Sequence, residues 1–302
     1  MSDLSRSIEV IEPGLFTTVQ DLGRPGYGPM GVSASGAADA VALRVGNLLV
    51  GNREGAAGLE MTLSGGTFAF PQGGAVALTG SDFGAGLPLW TACELSPGEV
   101  LRFGASLTGA RCYLCVRGGI DVPLFLGSAS THVLSGLGGQ VLKRGDSLRV
   151  GEEVDGPVRR VNPGALLRLS ARKAIRATDG PQTDWFAKSF FESEYTVTEE
   201  ANRMGIRLDG ALFEMKGAGM MLSEGVALGA VQIAAGGQPI IMFVEQQTTG
   251  GYPKIANVIA ADMHCVGQLR PRDEIRFVRV GLDEARDALR RREKLIASEI
   301  WA

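Results

Sequence analysis

At 302 residues the chain is longer than one ordinary domain, and its 45% apolar and 21% charged residues suffice for a substantial core. Thirty Lys and Arg against 33 Asp and Glu give a net charge of −3, which excludes a counterion-releasing nucleic-acid surface and a basic membrane-binding face. Glycine, at 43 residues, is about twice its average usage. It has no three-residue period, which excludes collagen and points to turn-dense β structure.

The amino-terminal segment carries Asp3, Glu9 and Glu12 with no apolar stretch, so no secretory signal is expected. No run is apolar enough for a membrane span; Gln232 interrupts even Val226 to Ala235. A first polar, glycine-rich stretch runs from Thr17 through Gln20, Asp21 and Arg24 to Gly28, then through Ser33 and Ser35. Ala38, Val41, Ala42, Val45, Leu48 and Leu49 fall at helical spacing and predict an amphipathic helix over 36–50. Ser35 or Gly36 can cap it, Asp39 suits its first turn, and Gly51-Asn52 ends it.

A short turn-then-strand unit recurs at Leu95–Phe103, Leu142–Val150, Val161–Leu169 and Leu269–Phe277. In each, the apolar–Arg–apolar alternation predicts arginine outward and its neighbours inward, as in barrels or sandwiches of short strands. A longer echo relates Tyr113–Pro123 to Met242–Pro253, each followed by a Gly-Gln pair, and suggests two related β halves joined near 160–180. Cys112 and Cys115 lie in an extended pattern where positions three apart face opposite sides, so the pair reads as structural. With only four cysteines, a cytoplasmic location is expected. A second polar stretch joins Arg117-Gly-Gly-Ile-Asp121 to Gly127–Thr131. Asp184 to about Ser193 predicts a second helix burying Phe186 and Phe190. The third polar stretch is Glu245-Gln-Gln-Thr-Thr-Gly-Gly-Tyr-Pro253. A tail helix from Asp283 presents Arg290–Arg292 to solvent, with Asp287 placed to pair with Arg291.

The three polar stretches border extended patterns and offer backbone N–H groups and amide side chains to an anionic or carbonyl-bearing ligand. Five hydrogen-bonding side chains around two glycines single out the third. Common catalytic signatures are missing. His132 and His264 have no nucleophile elbow upstream, and no phosphate-binding glycine motif is present. His264 and Cys265, adjacent and on opposite faces if extended, do not suggest a metal site. Met215-Lys216 lacks the hairpin of a biotinyl-lysine site and reads as surface.

The runs TTVQDLGRPGYGPMGVSASGAAD, RGGIDVP with LGSAST, GPQTDWF, ANRMGIRLDG, SEGVALGAVQ, QTTGGYP and QLRPRDEIRF follow one another along almost the whole chain. In these it resembles the biotin-dependent carboxyltransferase family, also called allophanate hydrolase subunit 2-like. That family includes the PxpC component of bacterial 5-oxoprolinase, KipA and the carboxyltransferase region of urea carboxylase. The chain departs from it where Glu245-Gln246 replaces the usual Asp-Arg, and where Ala38 replaces a methionine before Asp39.

The resemblance implies a mainly β fold: cyclophilin-like β-barrels in two subdomains, over 1–170 and 171–302, with a few short helices. It implies a subunit 1-like (KipI/PxpB-type) partner and a third 5-oxoprolinase component of the PxpA type, with a small-molecule substrate and neither nucleic acid nor membrane. Two chemistries follow. One is hydrolysis of 5-oxo-L-proline to L-glutamate with ATP acting through the complex. The other is carboxyl transfer to a urea- or amide-like nitrogen from carboxybiotin on a separate carrier. A KipA-like regulatory role through binding of a KipI-like protein is a third expectation. No metal is expected in this chain.

Both chemistries place charge on an oxygen beside a planar nitrogen and need fixed donors there. The expected catalytic set is Glu245, Gln247, Thr248, Thr249, Gly250, Gly251 and Tyr252, with Glu245, Asp21 and Glu60 as candidate proton acceptors. Arg24, Arg117 and Arg203 can clamp a carboxylate or phosphate, while Gln20, Gln247 and Gln268 read amide edges and Ser35 completes the substrate set. A buried structural ion pair is the competing role for Glu60 and Arg203.

Overall fold

Eighteen short strands carry most of the regular structure in the computed structural model, which describes residues 6–152, 156, 159–187, 190–216 and 221–302. The amino-terminal Asp3 lies outside the described residues. The chain divides into two units. One comprises Met1–Arg24, Ser35–Leu169 and Ser298–Ala302, the other Pro25–Ala34 and Ser170–Ala297.

The first unit contains, in chain order, β1 (Ser7–Glu12), β2 (Thr17–Gln20), α1 (Ala40–Leu49), β3 (Gly58–Thr62), β4 (Thr67–Phe70), β5 (Gly74–Gly80), β6 (Ala92–Leu95), β7 (Glu99–Arg102), β8 (Arg111–Val116), β9 (Ser147–Arg149) and α2 (Pro163–Leu169). Its strands form two sheets, β7-β4-β1-β9 and β2-β3-β8-β5-β6. Period-two alternation sends Ile8, Val10, Phe68 and Phe70 of the first sheet inward, where they share one core with Leu59, Met61, Leu78 and Leu114 of the second. Each such side chain contributes about 1.5–3 kcal/mol by leaving water. Strand β8 is buried along its whole length. Cys112 enters the shared core while the Cys115 thiol faces the Leu43 carbonyl of α1 at 3.7 Å, so the two point opposite ways. Both are free thiols, and burial pushes both well above the usual thiol range.

The second unit contains β10 (Ala174–Asp179), β11 (Glu194–Val197), β12 (Gly205–Gly210), β13 (Glu224–Gly225), β14 (Ala230–Ile233), β15 (Pro239–Met242), β16 (Thr249–Gly250), β17 (Lys254–Val258), α3 (Met263–Gly267), β18 (Glu274–Arg279) and α4 (Leu282–Lys294). Seven strands close a barrel in the order β10-β17-β14-β15-β12-β11-β18, while β13 and β16 pair separately as a two-stranded ribbon. Phe190 packs on Phe277 at 4.4 Å between ring centroids and on Tyr195 at 5.1 Å.

Several local expectations need correction. Helix α1 starts later than position 36 because Ser35 and Gly36 adopt left-handed φ values of 56° and 94°. Asp39 is the cap, its Oδ1 accepting from Ala42 N at 2.9 Å. Three of the turn-then-strand units form β7, β9 and β18, with Arg102, Arg149 and Arg276 exposed. The unit at Val161–Leu169 is instead helix α2. There Asn162 Oδ1 accepts from Gly164 N at 2.8 Å, and Pro163 at the first helical position has the φ a helix requires.

The segment expected as a second helix contains two short 3-10 turns, Thr183–Trp185 and Phe190–Glu192; positions 188–189 lie outside the described residues. Phe186 and Phe190 are nonetheless buried. In α4 Asp287 pairs with Arg290 at 3.2 Å rather than with Arg291. His264 and Cys265 lie on α3 rather than in a strand. Burial raises the Cys265 thiol to about 11, which makes it a poor nucleophile near neutral pH. Among the described residues no helix is long and apolar enough to cross a membrane.

Candidate functional site

In the first unit, the chain leaves β2 at Gln20 and turns across β3 and β8 before entering α1. Three successive backbone N–H groups fix this passage. Ala37 N donates to the Asp21 carbonyl at 2.9 Å, Ala38 N to Glu60 Oε2 at 2.8 Å, and Asp39 N to the Tyr113 hydroxyl at 2.7 Å. Gly36 is required here: besides its positive φ, a Cβ would lie 2.9 Å from Gly23 N. Glu60 is fully buried, accepts the Tyr113 hydroxyl at 2.6 Å and lies 3.7 Å from the Arg111 guanidinium. Burial and the neighbouring Glu60 and Asp39 charges hold the Tyr113 phenol well above its ordinary range, so it remains a donor.

Asp21 ties two of the polar stretches together. Its Oδ1 accepts from Gly23 N at 2.7 Å and from the hydroxyls of Ser128 and Ser130 at 2.6 and 2.5 Å, while Oδ2 accepts from Ala129 N at 2.8 Å. Ser130 Oγ in turn accepts from Asp21 N at 3.0 Å. Gln20 and Ser35 both donate to the Thr131 carbonyl, at 3.0 and 3.2 Å. Arg24 donates to the Ser130 and Phe125 carbonyls and stacks over the Phe125 ring. The clasp borders an open cleft of about 590 Å³ lined by Asn52, Arg53, Gly118, Gly119, Asp121 and Ala129, with Asp21 in its wall. Arg117 donates instead to the carbonyls of Val50 and Gly156, each at 3.0 Å, away from the cleft lining.

The second unit presents its polar stretch differently. Glu245, 5% exposed, takes the Arg203 Nε hydrogen at 2.5 Å, and its backbone N–H donates to the Arg203 carbonyl at 2.8 Å. Gln246 is also buried, and its Oε1 has no hydrogen-bond partner. From Gln247 onward the chain emerges: Gln247 and Thr249 are exposed, Thr248 is half-buried, and Gly251 and Tyr252 are exposed. Strand β16 pairs with β13, Glu224 opposite Gly250. A Cβ on Gly250 would lie 2.7 Å from Gln247 Nε2 and 2.9 Å from Gln232 Nε2, so two amide donors converge where only glycine leaves room.

Beside them, Lys254 opens β17 as the cross-strand partner of Gln232 and forms an ion pair with Glu224. That hydrogen bond holds the Glu224 carboxyl below the usual carboxylate range. Gln182 bridges the pair, donating to Glu224 at 3.2 Å while its carbonyl oxygen accepts from Lys254 N at 2.9 Å. Gln268 is buried at the carboxyl end of α3, its backbone N–H bonded to the Cys265 carbonyl.

The structure thus brings Gln20, Asp21, Arg24 and Ser35 together in one unit, and Gln247, Thr249, Gly250 and Tyr252 on one loop of the other. It places Glu60 and Arg117 in their own local networks, and ties Arg203 to Glu245. Sequence reasoning misses Ser128 and Ser130 as members of the clasp, and Gln232, Glu224 and Lys254 beside the ribbon. Signals for two of them are present: Gln232 breaks an apolar run, and Lys254 heads a strand whose other residues are mostly apolar. Among the described residues no group of three or more His, Cys, Asp or Glu is placed to hold a metal ion.

The profile of the carboxyltransferase domain, subdomains A and B, matches residues 30–279. The chain belongs to this family. This carboxyltransferase-domain protein is 38% identical to the C-type subunit of 5-oxoprolinase from Escherichia coli, over 97% of its own length and 98% of that chain. It is 33% identical to urea amidolyase of Saccharomyces cerevisiae over 93% of its length, but over only 17% of that much longer chain. Among solved structures, urea amidolyase of K. lactis superposes with a TM-score of 0.88 at 30% identity, covering 98% of this chain and 20% of that one.

Proposed function

We propose that this chain is the C-type subunit of an ATP-dependent 5-oxoprolinase complex, which hydrolyses 5-oxo-L-proline to L-glutamate. The observation that carries the reading is reciprocal coverage: the match to the corresponding E. coli 5-oxoprolinase subunit takes in 97% of this chain and 98% of that one. Opening a five-membered lactam places negative charge on the amide oxygen. A single prepositioned donor at such an oxygen is worth about 3–4 kcal/mol. The amide of Gln247 and the hydroxyls of Thr248 and Thr249 supply donors on an accessible loop, with Tyr252 beside them. Glu245, held by Arg203, fixes the base of that loop rather than moving a proton.

In this reading ATP is a co-substrate of the assembly. A subunit 1-like protein and a third, PxpA-type component complete it, in the cytoplasm, where four free cysteines remain reduced. Mixing the three components and measuring glutamate release from 5-oxoproline with ATP tests the proposal. Turnover that needs all three chains supports it, and a well-formed complex without turnover removes it.

A second reading, carboxyl transfer, is favoured by the superposition on urea amidolyase. The amide of Gln247 and the hydroxyls of Thr248 and Thr249 on the accessible loop are donors and acceptors of the kind a biotin ureido ring would pair with, and carboxybiotin held there would supply the carboxyl. Decarboxylation of carboxybiotin by the complex is its assay.

A further inference from the structure

A substrate that carries a carboxylate needs a cation whose own partner can step aside. Arg24 and Arg117 donate to backbone carbonyls of their own unit; Arg117 also lies 3.7 Å from the exposed Glu94, but its Nε and Nη2 hydrogens are held by the Val50 and Gly156 carbonyls whether or not that acid moves. Arg203 holds Glu245, whose side chain is only 4% exposed, so that carboxylate cannot leave its partner without a large desolvation cost.

Lys254 pairs a buried ammonium with an exposed acid beside the candidate loop. Its own side chain is 6% exposed, but that of its partner Glu224 is 45% exposed, on a two-residue strand. Glu224 can turn into water without a desolvation cost of its own, provided that another carboxylate takes its place at the buried ammonium. The lysine backbone is meanwhile fixed, its N–H donating to Gln182 Oε1 at 2.9 Å and its carbonyl accepting from Gln182 N at 3.1 Å. Around it lie Gln232, its cross-strand partner, whose amide donates weakly to the Tyr252 carbonyl at 3.4 Å, and Gly250, opposite Glu224 on the ribbon, where an added Cβ would meet the amides of Gln232 and Gln247. A held cation with a displaceable counterion, beside two amide donors, is a receptor for a small molecule bearing a carboxylate and an amide.

We propose that Lys254 binds the carboxylate of the substrate, which takes the place of Glu224, while Glu224 is a positioning residue that holds the ammonium ready in the free protein. The inference rests on the reading that the Gln247–Tyr252 loop receives 5-oxoproline. Exchanging one carboxylate for another requires no further reactant.

The test is steady-state kinetics of the reconstituted complex with 5-oxoproline varied, and with 2-pyrrolidone, the same lactam without its carboxylate, as competing ligand. Lys254→Met is expected to raise KM for 5-oxoproline about 10- to 100-fold, the range of a charge-assisted hydrogen bond, with Ki for 2-pyrrolidone unchanged. Lys254→Arg should restore part of the loss. Glu224→Gln, which keeps an amide oxygen for the ammonium to donate to, should lower KM several-fold by removing the competing carboxylate, and it decides the matter alone if Lys254→Met does not fold.

An unchanged KM in Lys254→Met, an equal loss for 2-pyrrolidone, or a raised KM in Glu224→Gln overturns the inference while leaving the function standing. A wild-type complex that neither binds nor turns over 5-oxoproline overturns the function and takes this inference with it.

Discussion

The polar stretches at Asp21 and at Gln247 have similar compositions, yet they are put to opposite use. Around Asp21, the carboxylate, two serine hydroxyls, an arginine and the Gln20 amide nitrogen bond one another or nearby backbone groups. Around Gln247 the hydrogen-bonding side chains face outward, and the buried acid of the stretch, Glu245, is already paired. A mostly closed network holds loops in place because its carboxylate and hydroxyls are all partnered, the carbonyl oxygen of the Gln20 side chain being left without a hydrogen bond. An open one costs the fold little and leaves its donors for a ligand. The distinction predicts which substitutions act on stability and which on turnover.

The largest effect is expected where the open stretch borders the closed kind. Glu245→Gln leaves the Arg203 charge buried without its counterion and should lower unfolding free energy by about 3–5 kcal/mol in urea denaturation. A fully stable Glu245→Gln protein without activity would instead make Glu245 part of the chemistry. Asp21→Ala should cost about 2–3 kcal/mol by orphaning the serine hydroxyls and Ala129 N–H, measurable in the same titration; an unchanged midpoint would show the clasp is not closed.

Gly250→Ala separates the two effects. Its Cβ meets the flexible ends of Gln247 and Gln232, so stability should change by less than about 1 kcal/mol, while displaced amides lower kcat/KM about tenfold or more. The smallest effect belongs to Gln246→Met. Replacing a buried carbonyl oxygen that has no partner should raise stability by up to about 1 kcal/mol, seen as a higher Tm, and a lower Tm would reveal a bond that Gln246 makes.

Much of this is legible in the sequence, for identifiable reasons. Alternation over Leu95–Phe103, Leu142–Val150 and Leu269–Phe277 announces strands because one face of each meets a core. The same pattern fails at Val161–Leu169, where Asn162 and Pro163 start a helix and that local signal outweighs the alternation. The opposed faces of Cys112 and Cys115 follow from strand geometry alone.

The third polar stretch can be singled out because its residues are consecutive. The partners that give it meaning are not: Glu224, Gln232 and Lys254 reach Gly250 only through the pairing of β13 with β16 and of β14 with β17, which no local pattern encodes. Likewise nothing in the run around Asp21 says that its carboxylate is taken up by Ser128 and Ser130, more than a hundred residues away.

The most direct test of the account is kcat/KM for 5-oxoproline in the assembled complex carrying Gln247→Ala, with Tm and complex mass measured alongside. Because Gln247 is exposed and its amide is aimed at Gly250 rather than locked in a closed network, kcat/KM should fall about 100-fold with Tm and assembly unchanged. Retained kcat/KM, or a loss that tracks a fall in Tm, would contradict the claim that this open loop is where the substrate is met.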